Sequence, residues 1–233
     1  MYDDDQNAPP INPLPPVVVV LSLMIAGVEL AAQAVENGLV DQIFGMRSRL
    51  EVLDGYGFSG EALDWMIEAG RYPLEYIKRC VTYLFVHGNF THALFTTVFI
   101  LAIGKMVAEV FSTLSFLIIF FASGIVGALA YGLLLDANLL LIGAFPAVYG
   151  LIGAMTFMLW VMAKVTGQSQ ARAFSLIGML LGIQLFFKLV FGGSNDWVAD
   201  LTGFATGFIL SFALAPNGSE RVVAVLNRIR RRR

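Results

Sequence analysis

Apolar and polar positions along this chain fall into long blocks rather than a fine alternation. The first apolar run starts at Pro16 and continues to about Ala34, with Glu29 its one charged residue. Further runs extend from about Thr91 to Glu109, Leu114 to Leu135, Phe145 to Ala163, Ala173 to Val190 and Trp197 to Leu214. A helix needs about 20 apolar residues to cross the hydrocarbon layer of a bilayer, so these blocks predict about six spans. Residues 36–80 differ in character. Acids and bases (Glu36, Asp41, Arg47, Arg49, Glu51, Asp54, Glu61, Asp64, Glu68, Arg71) are mixed with apolar residues, and Gly55, Gly57 and Gly60 break the middle. This pattern predicts a structured loop with short amphipathic helices at the membrane interface. Gly88-Asn89, Asp136-Ala137-Asn138, the Lys164–Arg172 stretch and Gly192–Asp196 separate the remaining blocks.

Composition agrees with a lipid address. The 233 residues are 58% hydrophobic and 14% charged, and mean hydropathy is +0.75. Soluble domains are about 45–50% apolar and about 25% charged. The net charge of -2 hides an uneven distribution, with Asp3, Asp4 and Asp5 at one end and Arg228, Arg230, Arg231, Arg232 and Arg233 at the other. A basic tail beside a last span predicts a cytoplasmic end near anionic lipid. No basic face accompanies it, which argues against nucleic acid as a partner. With six spans both termini share a side, the loops holding Lys105 and Lys164/Arg172 fall inside, and the 36–80 loop falls outside. Residues 1–15 are acidic and proline-rich, which predicts a disordered cytoplasmic tail rather than a signal peptide. The expected organisation is therefore 1–15 tail, 16–214 membrane domain and 215–233 basic cytoplasmic tail. A single cysteine, Cys80, excludes an internal disulfide.

Ionisable groups inside spans are costly, about 2.5–3.5 kcal/mol each on insertion scales, so those present need a reason. His87 with His92, Glu109 and Asp200 stand out. Two histidines five residues apart do not share a helix face, and no carboxylate or cysteine set completes a site, so neither a metal nor a cofactor is expected. Glu109 suits a cap at the inner end of the second span or a pair with Lys105. Gly150 and Gly153 on the fourth span, with Gly203 and Gly207 on the sixth, predict close packing of those two helices. Pro146 sits at a helix start, where its missing N–H costs nothing.

Over most of residues 79–214 the sequence resembles the rhomboid family of intramembrane serine proteases. Arg79, Thr82, Phe85 and His87 match an R-x-x-T-x-x-F-x-H approach to the second span, and His92 follows five residues later. Gly143, Tyr149 and Gly153 match the fourth-span G-x-S-G-x-x-Y/F-x-x-x-G pattern. Ala199, Leu201, Gly203, Phe204 and Gly207 match the sixth-span A-H-L-x-G-F-x-x-G pattern. The resemblance implies an all-α membrane protein, a rhomboid-like bundle of six transmembrane helices with a long structured loop between the first and second spans. The expected location is a bacterial inner membrane, as a multi-pass protein with both termini cytoplasmic.

The departures fall on the chemistry. The family's serine nucleophile position holds Phe145, the next glycine is Pro146, its general base is Asp200, and its oxyanion-holding asparagine is Thr96. Acyl transfer needs a hydroxyl beside a base, and Phe145 has no nucleophilic atom. Ser123 and Ser211 lie in spans without a visible base at their depth. No catalytic residue is therefore expected. His92 and Thr96 would remain as an oxyanion-like cavity, with Arg79, His87, Gly143, Tyr149, Gly153, Gly203 and Gly207 in structural roles. Asp200 is either hydrated near a helix end or paired with His92 across one polar cavity that also holds Phe145. The leading expectation is a pseudoprotease that binds transmembrane clients between the second and fifth spans. An active endopeptidase with altered chemistry is the alternative. A small transporter or channel comes third, since neither an internal repeat nor paired broken helices are visible.

Overall fold

The computed structural model describes residues 13–42, 45, 47–135, 139–191 and 195–215, with the side chains of 185 and 187–191 left aside. The arginine run, the Asp136-Ala137-Asn138 break, Gly192 to Ser194 and nearly all of the N-terminal tail lie outside the described residues.

The helices follow the apolar blocks. Helix α1 runs Pro16–Glu36, started by a proline at its first position. Four short helices occupy the polar loop: α2 Arg49–Tyr56, α3 Gly60–Ala69, α4 Leu74–Ile77 and α5 Arg79–Thr82. Ser48 and Ser59 cap α2 and α3 by accepting from the Glu51 and Ala62 amides, and Gly70 ends α3 at φ 60°. A 3-10 turn, Tyr83–Phe85, leads to Asn89, whose side chain caps α6, Phe90–Phe99. A π-helical segment, Ile100–Gly104, joins α6 to α7, Lys105–Ala108, so the three form one rod. Glu109 is the C-cap residue of that rod. Helix α8 covers Thr113–Leu134 and α9 covers Phe145–Val165. A 3-10 turn at Gln170–Phe174 precedes α10, Ser175–Phe191, and α11 covers Trp197–Leu214.

Among the described residues, five helical stretches are long and apolar enough to cross a membrane: Pro16–Glu36, Phe90–Ala108, Thr113–Leu134, Phe145–Val165 and Trp197–Leu214. The chain is thus an all-helical, multi-pass integral membrane protein whose partner is the lipid bilayer. The block expected to form a further span, Ala173 to Val190, is present as α10, a helix of 17 residues.

Helix α9 lies at the centre, with 78% of its apolar window buried, so it meets protein on nearly every side instead of lipid. It packs most extensively on α11 and α8. Small residues permit this approach. A Cβ on Gly207 would strike the Gly150 carbonyl, one on Gly203 the Pro146 carbonyl, and one on Gly153 the Phe204 carbonyl. The polar loop is fastened to the bundle by a two-bond bridge. Phe58 donates its amide to the Leu141 carbonyl at 3.0 Å, and Leu141 donates back to Phe58 at 2.9 Å. That bridge fixes the strand-like approach to α9, and with it the residues at the head of the helix.

Candidate functional site

The site forms where the heads of α6, α9 and α11 meet the polar loop. Its foundation is an arginine that uses all five of its N–H donors. Arg49 Nη1 donates to Glu29 Oε2 at 2.9 Å and to the His87 carbonyl at 2.8 Å. Its Nη2 reaches Glu29 Oε1 at 2.9 Å and Glu36 Oε2 at 3.1 Å, and Nε reaches Glu36 Oε1 at 2.8 Å. The Glu29 bond, then the Glu36 bond, hold the guanidinium pKa above its ordinary value. Glu29, the lone acid of the first apolar run, is buried, as is Arg49. One side chain therefore joins the first span, the polar loop and the segment carrying His87.

His87 is buried, and both ring nitrogens lack a hydrogen-bond partner among the described residues. Burial pushes its pKa down to about 3, helped by the neighbouring His92 and by Arg49. Its ring meets His92 edge-on, with centroids 4.9 Å apart and planes at 78°. The His92 ring in turn stacks on Phe145, the first residue of α9, at 5.2 Å and 12°. Phe99 closes the row, edge-on to Phe145 at 6.3 Å. Gly143 makes room for this stack. Its φ of 88° belongs to the left-handed region, and a Cβ there would run into the His92 ring at 2.5 Å. The Gly143 amide is held by the Tyr83 carbonyl at 2.9 Å.

Asp200, the fourth residue of α11, is only 2% exposed, which removes the reading of a hydrated carboxylate at a helix end. It does not pair with His92 either. Oδ2 accepts from Gln184 Nε2 on α10 at 2.6 Å, and Oδ1 has no partner among the described residues. The physical reason is a competing donor: the Gln184 amide on α10 takes the carboxyl oxygen. A cavity of about 180 Å³ opens between the second span and α10, lined by Phe99, Phe145, Tyr149, Leu180, Ile183 and Gln184 among others. It is mainly apolar, and neither His92 nor Asp200 is among its lining residues.

Thr96 is fully buried and donates its hydroxyl proton to the His92 carbonyl at 2.9 Å, one turn back. Tyr149 is buried and lines the cavity one turn below Phe145. Arg79 stands apart from the stack, in the loop, with Nη2 3.6 Å from Glu75 and its guanidinium over the Tyr76 ring. Thr82 donates to the Tyr56 carbonyl at 2.9 Å. Ser123 packs, fully buried, against Gly150, and Ser211 donates to the Gly207 carbonyl at 2.7 Å, so neither hydroxyl faces the cavity. Sequence reasoning missed two contributors. Arg49 was one charge among many in a polar stretch, although a lone acid such as Glu29 in a span signals a partner somewhere. Gln184 passed as part of an apolar run, although it is the one amide within that block.

A multi-pass helical bundle with a capped polar loop, a glycine-packed central helix and a histidine–aromatic stack at its head defines the class. Residues 75–217 match the rhomboid domain, and the chain belongs to the rhomboid family. It is 34% identical over 132 residues to rhomboid-like protease 3 of Toxoplasma gondii, covering 57% of this chain and 49% of that protein. Rhomboid-like protease 1 of the same organism is 32% identical over 135 residues, covering 57% and 45%. RHOMBOID-like protein 4 of Arabidopsis thaliana is 28% identical over 129 residues, covering 55% and 32%. The chain thus spans about half or less of the length of these relatives.

Proposed function

We propose that this chain is a rhomboid-like pseudoprotease that holds or diverts transmembrane clients without cleaving them. The observation that carries the reading is the stack at the head of α9, where Phe145 lies flat on His92. A phenyl ring at that point offers no nucleophilic atom for acyl transfer. Asp200, at the family's base position, is bonded to Gln184, and no hydroxyl of the described residues hydrogen-bonds to it. Clients enter from the lipid between the second span and α10, where the apolar cavity lies.

In this reading α10 counts as a sixth span. Its 17 residues extend about 26 Å, close to the hydrocarbon thickness. Both termini then lie on the cytoplasmic side of a bacterial inner membrane, with the 36–80 loop outside.

An active endopeptidase with altered chemistry is the second reading, favoured by the protease names of the two Toxoplasma relatives. Serine-directed fluorophosphonate labelling separates the two. The pseudoprotease reading predicts no labelling of the purified protein, and stoichiometric labelling lost on mutating a single serine contradicts it.

A further inference from the structure

The Gln184–Asp200 pair sits in the wall between the cavity and α11, and it is incomplete. Asp200 Oδ1 and Gln184 Oε1 are both buried without a hydrogen-bond partner among the described residues. Inside a bilayer no bulk water meets such acceptors, so a donor brought by another molecule gains what they lack. No cation of the described residues pairs with Asp200: one oxygen holds the Gln184 amide and the other holds nothing.

Access runs along α10. Gln184 lines the cavity beside Leu180 and Ile183, opposite Phe99 of the second span. The same helix turns Met179, Ile183 and Phe186 outward, at 57%, 46% and 59% exposure, so lipid or a helix in lipid meets it directly. Both oxygens are buried, so a side chain arriving from that face meets Gln184 first and reaches them only when the Gln184 side chain swings aside. The amide is on a flexible side chain and can yield its place on Oδ2.

We infer that the Gln184–Asp200 pair selects clients whose membrane helix carries a lysine or arginine about one turn inside its end. This rests on the client-holding reading above and names the client class. The depth follows from Asp200 being the fourth residue of α11. The charge follows from complementarity: an ammonium or guanidinium supplies several donors to a carboxyl and an amide oxygen, an apolar side chain supplies none, and a carboxylate repels.

The test uses the full chain in lipid nanodiscs and labelled single-span polyleucine peptides. The peptides carry lysine one turn inside the end level with Trp197, lysine at mid-helix, glutamate at the first position, or leucine throughout. The near-end lysine peptide is expected to bind about tenfold more tightly than the leucine peptide. The glutamate peptide gains nothing, and Asp200→Asn abolishes the lysine preference. If lysine and leucine peptides bind alike, the inference is overturned while client holding stands. If no peptide binds, both fall. Should Asp200→Asn fail to fold, the wild type decides by position: a preference that survives moving lysine to mid-helix overturns the inference.

Discussion

Arg49 and Glu29 form a buried ion pair that is costly to disturb. A buried ion pair is weakly stabilising as a whole, but removing one partner strands the other charge, at about 3–5 kcal/mol. Arg49→Ala leaves Glu29 inside the bundle without its bidentate partner and frees the His87 carbonyl. We expect a large drop in melting temperature in detergent, and Arg49→Lys to recover little of it, because an ammonium cannot reproduce the fork. A melt within a degree or two of wild type counts against the hub. His87 makes a separate prediction in pH. Its folded pKa of about 3 lies below the ordinary 6.5, so the unfolded chain binds the extra proton between those values. The neutral buried ring therefore favours the folded state fully above about pH 6.5, and that advantage is lost progressively as pH falls towards 3. His87→Asn should flatten the fall in melting temperature between pH 7 and 5. An unchanged slope means the ring protonates freely in the fold.

Among the elements, α9 and α11 show why glycine spacing matters more than hydropathy. Gly207→Val places a branched side chain against the Gly150 carbonyl, where backbone rather than a movable side chain is the obstacle. Overpacking of this kind costs about 1–3 kcal/mol, and more where two helices must part. Gly178 on α10 has nothing within 4 Å of its Cβ position, so Gly178→Ala should leave stability unchanged or raise it slightly. Melting of the two variants side by side checks this, and equal losses would refute the packing argument. The span limits were legible in the sequence because lipid imposes them: the last apolar block, Trp197 to Leu214, coincides with α11, and Phe145 opens α9 as its proline-marked run predicts. The partners of polar groups were not. Glu29 and Arg49 are 20 residues apart with no periodicity between them, and nothing in the order of residues says that Gln184 takes the carboxyl expected to face His92. Side-chain pairing across helices depends on which faces turn inward.

At the scale of the molecule, the glycine-packed centre, the capped loop and the apolar opening beside α10 form a scaffold suited to receiving a helix from lipid. The chemistry at its head is a stack of rings. Under the proposed function, a rhomboid bundle with Phe145 at the family's nucleophile position binds without cutting. The most direct test is a cleavage assay with the purified full chain in liposomes holding a fluorogenic transmembrane substrate. The account predicts no product above the lipid-only background, for wild type and for Asp200→Ala alike. Robust cleavage by the wild type that disappears in Asp200→Ala would contradict it.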